Sequence, residues 1–314
     1  MRIDKRLVLH ILYFIEVGNA KPLAPLAGSI ILYGMASTLD SATDRLLFPA
    51  GPAAARVHGD VAPRGARLWR ALRVTGDAAL DLLYPPHCVS CQVALPPETN
   101  KALCRDCAMQ IHWIGLDRCA RCGDGVGLGS GVVGDCPSCR SHPPAFVSAS
   151  CALAKYSEGP LRNLVLALKF SAKFHVARVL GDALARRIQA VQLSTAKMVV
   201  VPTPLTRKAA WRRGFNQAEE LAICVSQRLG LRMETGLLTK IRSTPTQATL
   251  SPEKRRLNLK GAFACDAKRA ARYKDTCVLL IDDVITTGST VSECARMLSD
   301  AGIGEVRAAA VARG

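Results

Sequence analysis

Acidic side chains are scarce in this chain: 25 Asp and Glu stand against 42 Lys and Arg, a formal charge of +17 over 314 residues. Aromatic residues are scarcer still at 5%, and Trp113, Trp211 and Phe215 are too scattered to form an obvious stacking platform. Long apolar runs are missing as well. The stretches at 6–17 and 26–35 are each too short to span a bilayer and are separated by Lys21 and two prolines, so no membrane span is expected. No G-x-x-x-x-G-K-[ST] occurs, which excludes a P-loop. The one G-x-G-x-x-G, Gly129 to Gly134, follows no strand pattern and lies between two cysteine pairs, so it reads as a ribbon tip and not a dinucleotide loop.

What remains suits a protein of about two domains, with 49% hydrophobic residues to build cores. The positive charge is not spread evenly. Residues 1–68 carry 8 Lys/Arg against 5 Asp/Glu, 69–150 carry 7 against 7, and 151–314 carry 27 against 13. The last segment therefore predicts an anionic partner such as phosphate or nucleic acid. The first 68 residues read as a poorly defined extension with an Ala/Gly/Pro/Arg linker at 50–66. Their charged start, apolar run and small residues at 17–20 resemble a secretory signal, but His10 and Glu16 interrupt the run, and a cytoplasmic location is expected.

Eight of the thirteen cysteines fall in four Cys-x-x-Cys pairs. Cys88/Cys91 and Cys104/Cys107 are separated by twelve residues, Cys119/Cys122 and Cys136/Cys139 by thirteen. A two-residue gap lets both sulfurs of a pair reach one ion, so each set of four predicts a closed, structural Zn²⁺ site, two ions in all. A cross-braced pairing fits the same spacing. A redox dithiol would need a flanking strand-helix pattern that is absent. His87, His112 and His142 lie nearby, but eight thiolates already fill two tetrahedral sites.

Beyond residue 151 apolar strands alternate with amphipathic helices, which predicts an α/β fold with a parallel sheet covered on both faces. Helices are expected over 161–170, 176–191, 213–230 and 289–302, and strands over 197–204, 276–281 and 305–312. The sharpest feature is "VLLIDDVITTGST", 278–290. If the strand ends at Ile281, Asp282 and Asp283 project from its carboxyl end, where open α/β sheets bind ligands. Thr286, Thr287, Gly288, Ser289 and Thr290 then wrap the start of a helix whose free N–H groups attract phosphate. Carboxylates beside a phosphate would repel it unless they hold hydroxyls or act through a cation, and a ribose 5-phosphate offers a diol at suitable spacing.

At these residues the chain resembles the type I phosphoribosyltransferases, and every position of 278–290 agrees with their signature. The resemblance implies that Asp282 and Asp283 hold the ribose hydroxyls of phosphoribosyl pyrophosphate (PRPP), with Mg²⁺, and that 286–290 bind its 5′-phosphate. The blocks "YSEGPLRNLVLALKF", "VPTPLTRKAAWRRGFNQAEELA" and "TPTQATLSPEKRRLNLKGAF" narrow the resemblance to ComF-like proteins. In these a double zinc ribbon, here 69–145, precedes a phosphoribosyltransferase-like domain, here 146–314. Thr203 departs from the family's usual valine. Arg212 and Arg213 are the leading candidates for pyrophosphate contacts, with Asn216 and Gln217 next. Lys169, Arg255 and Asn258 fit a solvated face equally well. The resemblance implies either phosphoribosyl transfer to an unnamed acceptor or a PRPP-regulated role in handling single-stranded DNA during competence-type DNA uptake.

Overall fold

The computed structural model describes residues 86–96, 102–126, 136–170, 174–244 and 257–314. The expected extension at 1–68, the tip at 129–134 and Arg255 lie outside them.

Five strands form one parallel sheet in the order β1-β7-β6-β2-β3: β1 Ala149–Lys155, β2 Met198–Pro202, β3 Arg232–Met233, β6 Cys277–Ile285 and β7 Val306–Arg313. Helices α3 Pro160–Phe170, α4 Phe174–Ala190, α6 Gln217–Leu229 and α8 Ser289–Asp300 supply the crossovers and cover. Burial on both faces explains the unbroken apolar strands. Along β6, Leu279 and Ile281 join one buried cluster with α4 and α6, while Val278 and Leu280 join the other with α8. Two helices lie around the expected helix at 213–230: α5 Arg207–Arg213, which was not expected, and α6, which begins only at Gln217 and covers the rest. Gly214, at φ 80°, ends the first in a left-handed turn that suits a residue without Cβ. An antiparallel hairpin, β4 Leu238–Lys240 with β5 Phe263–Cys265, stands apart from the main sheet, and a single turn, α7 Ala267–Ala270, follows it.

The cysteine-rich region contributes two short helices, α1 Arg105–Met109 and α2 Pro137–Ser141. It is bonded to the sheet along the edge of β1. Ile114 N donates to the Leu153 carbonyl and Lys155 N to the His112 carbonyl, both at 2.9 Å, so residues 112–114 add an antiparallel bridge to the edge strand. This satisfies backbone groups that would otherwise form a sticky edge. Among the described residues no helix is long and apolar enough to cross a membrane.

Candidate functional site

Strand order reverses between β2 and β6: β3 lies outside β2, whereas the chain after β6 continues to β7 on the other side. A crevice at the carboxyl ends of two strands that diverge in this way is where open α/β sheets take ligands. β2 delivers Thr203 to it and β6 delivers Asp282 and Asp283. Thr203 N donates to the Ile281 carbonyl at 2.9 Å.

The strand does not end at Ile281 as expected from the sequence; pairing with Ala310, Ala312 and Arg313 of β7 carries it on to Ile285. The two acids therefore sit within the strand, 7% and 5% exposed, and not on an open surface. Burial, then the neighbouring Asp283 charge, pushes Asp282 up to about 8, while hydrogen bonding from the Thr203 hydroxyl pulls the other way. Asp283 is offset by Lys169 from the end of α3, whose Nζ lies 2.7 Å from Oδ2. The contact is a charge contact, at an angle that leaves Oδ2 without an aligned hydrogen bond. Lys169 is thus part of the site and not of a solvated face.

Beyond the acids, Gly288 adopts a left-handed conformation, φ 73°, at the N-cap of α8. No side chain caps this helix, so the N–H groups of its first turn, beginning at Ser289 in the 286–290 loop, have no capping acceptor from a side chain. The Thr287 and Ser289 hydroxyls are 2.8 Å apart. Asp282, Asp283 and the loop therefore meet at one end of the sheet. Burial lowers the pKa of the half-buried Lys240 of β4, against which Cys294 and then the charge of Asp282 raise it. Sequence reading missed it because nothing local marks it.

The basic segment is arranged more selectively than the sequence suggested. Arg213 donates to Gln217 Oε1 at 2.9 Å and lies over the Phe170 ring at 5.4 Å, while Arg212 is exposed. Asn216 caps α6 through Ala218 N and donates from Nδ2 to the Thr203 carbonyl at 3.0 Å. Asn216 thus shapes the loop after β2, while Gln217 holds Arg213. Asn258 accepts from Arg242 through its carbonyl at 2.8 Å.

The eight cysteines gather as the spacing within each set predicted: Cys88, Cys91, Cys104 and Cys107 in one tetrad, Cys119, Cys122, Cys136 and Cys139 in the other, with no cross-bracing. A tetrahedral Zn²⁺ with sulfurs at about 2.3 Å would set them about 3.8 Å apart. Observed separations are 3.6 Å for Cys91 and Cys104, 3.7 Å for Cys119 and Cys139, and 3.3 Å for Cys122 and Cys136. Burial foremost, with neighbouring sulfurs, pushes Cys107 up to about 12, and burial pushes Cys122 up to about 11. A divalent cation offsets that cost. Both tetrads are consistent with structural zinc.

Comparison with known proteins agrees with this layout. A double zinc ribbon domain matches residues 79–140 and a phosphoribosyl transferase domain matches residues 212–314. Competence protein F of Haemophilus influenzae is 32% identical over 234 residues, 72% of this chain and 96% of that protein. DNA utilization protein YhgH of Escherichia coli K12 is 36% identical over 169 residues, 52% of this chain and 70% of its own length. Competence protein ComFC of Streptococcus pneumoniae is 25% identical over 219 residues, 68% of this chain and 89% of that relative.

Proposed function

We propose, from the premise that this chain belongs to the ComF family of competence and DNA utilization proteins, that it binds PRPP with Mg²⁺ and transfers phosphoribose to an acceptor. One observation carries the reading: two buried adjacent carboxylates and a phosphate-type loop meet at the point where the strand order reverses. A ribose 5-phosphate presents a diol to these acids and its phosphate to residues 286–290, a match that a lone phosphate cannot make. The carboxylate oxygens are also the donors that a hard cation prefers, and Mg²⁺ bound with the ligand would neutralise charge on the departing pyrophosphate.

In this assignment the bond from ribose C1 to pyrophosphate breaks, pyrophosphate leaves with the electron pair, and the acceptor forms the new bond to C1. Asp282 and Asp283 orient the sugar. Lys169 competes with the diol for Asp283, and on ligand entry its ammonium is placed to meet an anionic oxygen. Arg213 is positioned by Gln217 and Phe170 for the pyrophosphate, with Arg212 beside it in sequence.

A second reading has its own support. α5 buries none of its residues, carries Arg207, Lys208, Arg212 and Arg213, and holds Trp211 at 87% exposure. Such a surface suits single-stranded nucleic acid, with PRPP as a regulatory ligand. The names of the relatives fit that use.

The test is calorimetry with PRPP and Mg²⁺, followed by an assay for released pyrophosphate across candidate acceptors. The parent should bind, and Asp283→Asn should weaken binding tenfold to a hundredfold, since a charge-assisted hydrogen bond contributes about 1.5–3 kcal/mol. Equal affinity would remove the diol assignment. Binding without turnover over a broad acceptor set would favour the regulatory reading.

A further inference from the structure

Arg313, at the end of β7, is 4% exposed. Its guanidinium donates to main-chain oxygens. Nε donates to the Cys122 carbonyl at 3.1 Å and one terminal nitrogen to the Ile285 carbonyl at 3.0 Å. The same nitrogen also donates to the oxygens of Thr286 and Gly314. One buried cation thus joins a residue of the second cysteine tetrad to the first residue of the 286–290 loop.

Burying a guanidinium is costly, so the charges it lies between matter. A tetrathiolate zinc centre carries a net charge of −2, and the loop on its other side is the candidate site for a phosphate dianion. Arg313 is held between two places for anions and lowers the cost of filling either.

Two further contacts run between the same elements. Ala145 N, four residues after the end of α2 with Cys139, donates to Ser292 Oγ of α8 at 3.0 Å. Pro144 Cβ would lie 3.5 Å from a Cβ placed on Gly288. The turn holding Cys119 and Cys122 is fixed to the sheet domain as well: Ser150 N donates to the Ala120 carbonyl at 2.8 Å and Ser150 Oγ to the Arg121 carbonyl at 2.7 Å. At Gly123, φ 75°, a Cβ would come within 3.0 Å of the Cys151 backbone. The first tetrad's segment is anchored elsewhere, Ser90 Oγ accepting from Asn163 of α3 at 3.1 Å.

We propose that the second tetrad is a clamp on the phosphate loop and that Arg313 is the positioning residue through which it acts. Metal at Cys119, Cys122, Cys136 and Cys139 and phosphate at 286–290 then stabilise one another. This rests on the loop being the phosphate site, but the mechanical coupling can be measured without any ligand.

The experiment removes zinc stepwise from the full chain with a chelator and follows amide hydrogen exchange by peptide. Exchange across 284–292 should rise about tenfold together with peptides of the second tetrad, and stay within about twofold while only the first tetrad loosens. Coupling free energies of this kind usually span 5-fold to 150-fold. Arg313→Lys, which keeps the charge but cannot reach all four oxygens, should loosen 284–292 while two zinc ions remain bound. Should that variant fail to fold, the zinc titration of the parent decides alone. Loop exchange that ignores the second tetrad, or follows the first equally, overturns the proposal.

A merely structural arginine would not produce the reciprocal effect. PRPP with Mg²⁺ should slow the release of one of two zinc ions in the parent and of neither in Arg313→Lys. If calorimetry finds no PRPP binding to the parent, the phosphate assignment falls, and the ligand-free exchange result still settles whether the clamp exists.

Discussion

Asp282 shows at the residue scale how burial sets both a stability cost and a binding behaviour. Its folded pKa of about 8 lies above the ordinary value of 3.8. Between about pH 4 and pH 8 the folded state therefore holds a proton that the unfolded state has lost, so stability contributed at low pH declines as pH rises through this window. Asp282→Asn removes the titration. Its melting temperature should exceed the parent's at pH 8, by about 2–4 °C for each kcal/mol relieved, with the gain vanishing toward pH 4. An equal difference at both pH values would show that Asp282 does not titrate there. Binding has the opposite sign. A cation-bearing ligand favours the ionised carboxylate, so PRPP with Mg²⁺ should tighten as pH rises toward 8 and release protons below it, measurable by calorimetry in buffers of different ionisation enthalpy. The acids were legible in the sequence because they are contiguous with the loop. Lys169, Lys240 and Arg313 were not legible as partners, since they come from separate elements and meet only through the sheet.

At the scale of elements, the helices hold the sheet's register through close approaches that small residues permit. Gly181 of α4 faces α6, and a Cβ there would lie 2.5 Å from Cys224 Cβ and 3.3 Å from the Leu221 carbonyl. Gly181→Ala gains roughly 1 kcal/mol of helix propensity but must push α6 away, and overpacking of this kind costs about 1–3 kcal/mol. The urea midpoint should fall; a rise would mean that the two helices separate freely. The long helices and the strands β2, β6 and β7 were readable because amphipathic period and apolar runs report burial directly. β1, "ASCALAK", was not, for its small residues carry little strand preference and its pairing with the alanines of β7 decides its conformation. β3, β4 and β5 span two or three residues each, too few for any period to show.

The whole molecule uses its basic excess in two ways that composition cannot separate. Part of it is internal: Arg187, 2% exposed, donates to the Gly115 carbonyl, Arg118 to the Ser150 carbonyl at 2.9 Å and Arg313 to Cys122, so these arginines fasten the ribbon to the sheet domain. Trp113 is likewise engaged, donating to the Ala108 carbonyl at 3.0 Å beside the edge of β1. The other part is outward, and α5 concentrates it beside Trp211. If this helix takes single strands, oligonucleotide affinity should fall steeply with salt, the slope of log K against log salt measuring about 0.7 per phosphate neutralised. Replacing Arg207 and Lys208 together by alanine should flatten that slope. Trp211→Ala should instead weaken binding by about 1–3 kcal/mol, the usual range for a stacked base, while leaving the slope unchanged, because stacking releases no counterions. Fluorescence anisotropy with a labelled single strand across a salt series reads both effects. Affinity indifferent to salt, or a slope untouched by the paired substitution, would assign the charge of α5 to the pyrophosphate alone and leave transfer as the reading of the site.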